Sequence, residues 1–341
     1  MAVGSQGLAA VPSYIAFSKE ASFGTMASAT TACEAISCSF GVKFKQEKLE
    51  TIGPNRGYSK RVQLEKDVAG TLEGYLHPIE SVLPVAVAMG GGIASTVTAV
   101  TGVYTHSITA GNFDTLPSSL SFNVRKGPAF AMAYFGGRVN ELKITGAIKE
   151  PIKASYDMIF KDATIATDIS AILSVSSALP FTFVGGSYRY DATEASLTTS
   201  VAEPILGFEM TLNNNIADGD ESRELGTDVR TILPPTRRAV GLKITQRFDT
   251  TTAFNRMIQA TQGAVELYFR GQQITTSGAV TKYYEMTMRF PKVYHNVGDP
   301  EIGGADEILS LDIPLDVVVD NPNTTTGKDL GITFQNNVAS Y

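Results

Sequence analysis

Three residue types in this chain could support catalysis or metal binding, and their spacing points away from both. The three histidines, His77, His106 and His295, are far apart in sequence and sit in turn-like settings. Each is expected to be a surface or hydrogen-bonded group rather than a ligand. The two cysteines, Cys33 and Cys38, lack a further Cys or His pair at metal spacing and are expected to stay reduced thiols. The acidic stretch DGDESRE at 218–224 offers oxygen ligands at alternate positions, as calcium requires, but lacks the central glycine and closing glutamate of an EF-hand loop. A solvated or subunit-bridging loop is the favoured reading.

Neither GxSxG nor HExxH occurs, and MGGG lacks the Lys and Ser/Thr of a phosphate loop. Paired carboxylates for glycoside hydrolysis stay open, since any two of 34 acids can meet in space. A chain without Trp is nonetheless a poor source of a sugar-stacking cleft. The expectation is a protein that is not an enzyme and has no catalytic, cofactor or metal site.

Composition narrows the classes further. A net charge of −6 removes the case for a basic nucleic-acid-binding surface. No run approaches the roughly 18 apolar residues that cross a bilayer, and the opening MAVGSQGLAAVPSY lacks the charged and apolar regions of a signal peptide. The product is expected to stay in the cytosol where it is made, without membrane contact. Charged residues are 18% of the chain, below the usual quarter, so much of the surface is expected to be covered by other copies.

The elements that position these residues centre on 136–160, GGRVNELKITGAIKEPIKASYDMIF. Leu142, Ile144 and Ile148, then Ile152, Ala154, Tyr156, Met158 and Phe160, fall on every second residue, while Lys143, Lys153, Ser155 and Asp157 take the other face. Residues 283–319 echo this pattern with Tyr284, Met286, Met288 and Phe290, then Leu309, Leu311, Ile313, Leu315 and Val317.

Six elements recur in one order: a strand, a long polar loop, a second strand, a short helix, a third strand ending in Arg, and the organising pair. The first set has a helix stripe of Ile79, Val82, Leu83, Ala86 and Val87 closed by Gly90, and Pro84 moves the helix start towards Ser81. The second has Phe254, Met257, Ile258 and Thr261 on one helix face, with Gly263 as the stop. The divisions expected are an N-terminal arm at 1–35, a first domain at 36–162, a linker at 163–203, a second domain at 204–320 and a C-terminal arm at 321–341. Residues 91–119 have no counterpart in the second copy, and convergent β-sandwich patterning is the alternative to duplication.

GTLEGYLHPIESVLPVAVAMGGG, followed by FGGRVNELKITGAIKEPIKASYDMIF, resembles the tail tube, or major tail, proteins of long-tailed bacteriophages. The likeness covers residues 36–162 well and the second copy by element order. It implies a mainly β fold of two tandem tail-tube-type β-sandwich or barrel domains, each with a short flanking α-helix and a long stacking loop. It further implies a structural virion protein whose rings stack into a hollow tube that conducts DNA from capsid to host. A chain with two such domains would form a homotrimeric, pseudo-hexameric ring.

Its implied partners are itself and the tail tip, tail terminator and tape measure proteins, with DNA as a non-specifically conducted passenger. Its implied place is the virion tail, assembled in the bacterial cytoplasm. Another virion β-sandwich, such as a capsid decoration or baseplate component, is the alternative, and a carbohydrate-binding module follows it.

The resemblance assigns inter-ring contacts to the two long loops, at Lys45, Glu47, Lys48, Glu50, Asn55 and Arg56, and at Asp218, Asp220, Glu221, Arg223 and Glu224. A conduit must not grip DNA, because each neutralised phosphate adds affinity. Carboxylates on strands opposite apolar neighbours are therefore candidates to face the bore: Glu65, Glu73, Glu141, Asp157, Glu209 and Glu285.

Overall fold

A computed structural model describes residues 14–49, 58, 60–90, 92–111, 118–127, 130–166, 174–247, 251–277, 280–296, 310–321 and 328–341. Its first strands are β1 (Tyr14–Lys19), β2 (Thr31–Cys33), β3 (Ala35–Cys38), β4 (Gly41–Leu49) and β5 (Lys60–Tyr75), followed by helix α1 (Val82–Met89). Then come β6 (Ile93–Val97), β7 (Tyr104–Thr109), β8 (Leu120–Lys126), β9 (Phe130–Ala147), β10 (Lys153–Phe160) and β11 (Asp162–Ala166). The remainder holds β12 (Gly186–Asp191), β13 (Ala202–Glu203), β14 (Gly207–Asn213), β15 (Ala239–Arg247), α2 (Thr252–Ile258), β16 (Gln262–Ser277), β17 (Val280–His295), β18 (Ser310–Val317) and β19 (Gly331–Asn336).

The fold is mainly β, as the alternation predicts. Leu142, Ile144, Ala154, Tyr156 and Met158 are buried on one face of β9 and β10, and Tyr284, Met286, Met288 and Phe290 on one face of β17. In residues 36–162, β5 pairs with β4 and β10, and β9 pairs with β10 and β8. In residues 204–320, β15 pairs with β14 and β18, and β17 with β18 and β16. β14 also pairs with β9, in the register Leu212 to Leu142. One antiparallel network therefore runs through both halves, and one hydrophobic core draws on both. Two tandem sandwich or barrel domains are the expectation, and the β14–β9 pairing joins the sheets of the two halves.

β9 is long enough to serve two layers. Its first half carries β8 on one edge and β11 on the other, and its second half carries β14 and β10. Phe40, Phe122, Tyr134 and Phe160 fill the turn between layers, and the Phe40 ring lies 4.8–5.4 Å from each of the other three. Such ring pairs contribute about 0.5–1.5 kcal/mol each beyond area burial.

Several segments differ from the sequence reading. Within the expected N-terminal arm, β1 pairs with β8 and buries Ile15 and Phe17, because its run of large apolar groups completes the β8 edge. Within the expected C-terminal arm, β19 lies between β17 and β7 and buries Ile332 and Phe334. The segment 93–119, read from its composition as a hairpin or excursion, does hold a hairpin, β6–β7, whose β7 pairs with β19.

Helix α1 starts after Ser81 and closes at left-handed Gly90, but all its residues are buried rather than one stripe. α2 ends at Ile258, which is exposed, and Gly263 lies in β16, where an added Cβ would meet the Tyr190 ring at 2.4 Å. Ile148, expected on the core face, is exposed in the turn between β9 and β10.

Candidate assembly surfaces

The long loop expected at Lys45–Lys60 is partly strand. β4 and β5 continue as a two-stranded ribbon with Lys45 opposite Glu65, Glu47 opposite Val62 and Lys48 opposite Arg61. Lys45, Glu47 and Lys48 are exposed on it, as are the apolar side chains of Phe44, Val62 and Leu64. Lys45 Nζ lies 2.8 Å from Glu65 Oε1, and that hydrogen bond holds the Glu65 carboxyl below its ordinary value. Glu50, Asn55 and Arg56 lie outside the described residues.

The second long loop, between β14 and β15, folds onto the base of this ribbon. Arg223 pairs with Asp67 and, at 3.5 Å, with Glu65. Arg230 is buried and reaches Asp67 at 3.0 Å and Asp218 at 3.4 Å. Burial lowers the Arg230 pKa, and the two carboxylates oppose that shift. Asp218 and Arg223 therefore act within the chain, while Asp220, Glu221 and Glu224 remain exposed beside them. Sequence reasoning missed this network, because charges at separations of 156 residues leave no local pattern.

Register brings four of the six candidate bore carboxylates onto one surface. Glu73 is opposite Ser155, Ser155 opposite Lys143, Asp157 opposite Glu141, and Glu209 opposite Thr145. Since paired residues share a face, all four stand on the solvent side of the β5–β10–β9–β14 sheet, with the core beneath. Lys143 neutralises Glu209 at 2.9 Å. Glu73 accepts from Ser37 Oγ at 2.9 Å, Glu141 from Asn213 Nδ2 at 3.4 Å, and Asp157 from Thr71 and Asn140 at 3.4 Å. Among the described residues no cation pairs with those three, so the face keeps an acidic surplus.

The other two candidates sit elsewhere. Glu65 belongs to the ribbon network, and Glu285 accepts from Tyr268 Oη at 2.8 Å on the outward face of β17.

Two of the three histidines hold hydrogen bonds within the fold. All three histidines are buried, and of the two settings expected, surface or hydrogen-bonded, His106 and His295 take the second. His106 bridges Ser95 Oγ at 2.8 Å and Asn336 Oδ1 at 2.9 Å, tying β7 to β19. His295 faces the Thr261 carbonyl at 3.3 Å, and His77 lies 3.7 Å from the Glu34 carboxylate. Burial pushes the Cys33 thiol up to about 12, and both cysteines are free. Among the described residues no cluster of His, Cys, Asp and Glu could hold a metal, and no helix is long and apolar enough to cross a membrane.

A cleft of about 440 Å³ beside β12 and β16 is lined by Phe183, Tyr188, Ile205, Leu267 and Phe269. Its one carboxylate, Glu203, is held by Arg256 at 2.9 Å. The buried Glu266 carboxylate is likewise held, by Arg189 at 3.0 Å and Arg289 at 2.7 Å.

A sequence model of the family described as phage tail tube protein matches residues 13–319, nearly the whole chain. No curated protein matches it.

Proposed function

Because the chain belongs to the phage tail tube family, a structural component of the virion tail and not an enzyme, we propose that it assembles into rings that stack as a hollow conduit for DNA. In this reading the two halves are copies of one tube module, and three chains close a pseudo-sixfold ring. The stack meets tail tip, tail terminator and tape measure proteins, and is built in the host cytoplasm.

The observation that carries this reading is the acidic face. Glu73, Glu141, Asp157 and Glu209 emerge together on one side of a sheet that runs unbroken from one half to the other. A wall on which Glu73, Glu141 and Asp157 have no cation partner repels phosphates and leaves a duplex free to slide, because no counterions are released by contact. In the same reading the β4–β5 ribbon and the exposed acids at 220–224 make the contacts between rings.

Negative-stain microscopy of the purified protein tests it. Hollow rings or tubes are expected, and monodisperse monomers at high concentration would contradict the proposal.

A further inference from the structure

Resting on the tube reading, we propose that Arg223 and Asp228, in the loop between β14 and β15, are positioning residues that set the direction of the β4–β5 ribbon for its contact with the next ring. The two long loops have thereby taken different tasks: that of the first half projects, and that of the second half braces it.

The sheet pairings show the divergence. β5 lies between β4 and β10, as β15 lies between β14 and β18. β10 leaves β5 at Val68, yet β4 and β5 run on together to Leu49 and Lys60. In the second half β18 stays with β15 to Gly241, and the β14–β15 pair closes soon after, at Asn213 and Ala239. The chain that follows Asn213 turns back through a 3-10 turn at Asp220–Ser222, and an antiparallel bridge between Ile216 and Pro235 closes the loop at its root. Ile216 and Leu233 pack with Ile159 of β10, and Arg138 of β9 donates to the Leu233 carbonyl. The loop therefore has a fixed seat on the first half.

From that seat it reaches the ribbon. Just past the end of β10 the Lys66 N–H donates to the Asp228 carbonyl at 2.9 Å, so a loop residue takes the edge of β5 that β10 leaves. Gln63 Nε2 donates to the Asp228 carboxylate at 3.3 Å. Arg223 joins these contacts: its Nη1 donates to the Asp228 carbonyl at 3.0 Å, while its Nη2 pairs with Asp67 and, at 3.5 Å, with Glu65. One guanidinium thus ties the residue that caps the ribbon's edge to carboxylates on β5, a task suited to its planar fork of donors.

The ribbon needs such a hold, because residues 43–48 and 60–64 are exposed on it. A two-stranded ribbon with no core beneath it is marginal alone and twists more strongly than a wide sheet. An arm of this kind meets a partner only in one direction, and fixing that direction beforehand leaves less to be ordered at assembly.

The test compares the unmodified chain with Arg223→Ala and with Gln63→Ala, the second at an exposed position. Hydrogen exchange on unassembled protein reads the ribbon amides of 43–48 and 61–66, with those of β15 and β18 as a folding control. Arg223→Ala should cost the ribbon about tenfold or more in protection, the factor expected from losing a charge-assisted hydrogen bond, and Gln63→Ala less. The β15 and β18 amides should be unchanged; if Arg223→Ala loses protection throughout, Gln63→Ala decides. In microscopy Arg223→Ala should still form rings but stack them into shorter tubes than the unmodified chain at the same concentration. Unchanged ribbon protection in both variants would overturn the brace. Reduced protection with unchanged tube length would overturn its task in stacking and leave the tube reading standing. Absence of rings and tubes from the unmodified chain would overturn the tube reading and the stacking task together.

Discussion

Asn214 donates its backbone N–H to the Asn140 carbonyl at 2.8 Å, and its side-chain amide donates to the carbonyls of Val139 at 2.9 Å and Ala88 at 2.8 Å. One buried asparagine thus fastens the incoming second half to β9 and to the end of α1. Asn214→Ala strands two buried acceptors, and at about 1–3 kcal/mol for each unsatisfied group the variant should lose roughly 2–4 kcal/mol. Urea unfolding measures this; a loss below about 0.5 kcal/mol would mean that water or a shifted side chain replaces the amide.

Asp67 joins the ribbon to the second loop through Arg223 and Arg230. Asp67→Ala leaves buried Arg230 with Asp218, at 3.4 Å, as its one ion-pair partner among the described residues, beside the Val68 and Phe160 carbonyls. Breaking a fully buried pair costs about 3–5 kcal/mol, and the partial exposure of Asp67 reduces this to about 2. Arg230→Met in the Asp67→Ala background should recover most of the loss in a thermal melt. Equal losses in the single and double variants would rule out an uncompensated charge as the cause.

His295 gives the fold a pH dependence of known sign. Burial lowers its pKa below 6.5, with the Arg256 charge adding to the effect and the Thr261 carbonyl opposing it. The unfolded chain therefore takes up this proton first as pH falls, so stability is level above about 6.5 and declines below it. The urea midpoint should fall between pH 7.5 and 5.5, and His295→Gln should flatten that segment of the curve. An unchanged slope in the variant would assign the dependence to another group.

Reversing the charge of the acidic face should create a DNA-binding surface. Glu73→Lys, Glu141→Lys and Asp157→Lys together are expected to make assembled protein retain duplex DNA at low salt and release it as salt rises. The corresponding Gln and Asn variant should not retain it. Co-sedimentation with DNA reads both, and equal retention by all forms would remove the role given to this face.

Deleting residues 47–58 should leave rings and stop their stacking. Tube length by microscopy is the measure, and unchanged length would free residues 47–58 of that task.

Much of the fold was legible because a half-buried strand leaves a period of two. Tyr284 to Phe290 and Ala154 to Met158 fall on the core face where the alternation places them. The same alternation put Glu73, Glu141, Asp157 and Glu209 on the outward face, and register alone then gathered them. What local pattern could not carry is partner choice. β14 could have paired within its own half only, yet it also pairs with β9, and β19 leaves a polar tail to enter the sheet. The partner of His106 was hidden for a related reason: its setting reads as turn-like, yet it lies in β7 and Asn336, 230 positions away, closes its hydrogen bond.

The most direct test is an electron-microscopic reconstruction of the assembled protein that traces its strands. A hollow particle with Glu73, Glu141 and Asp157 lining the bore is the predicted result. A solid particle, or one with that sheet face on the outside or buried against a neighbour, would contradict it.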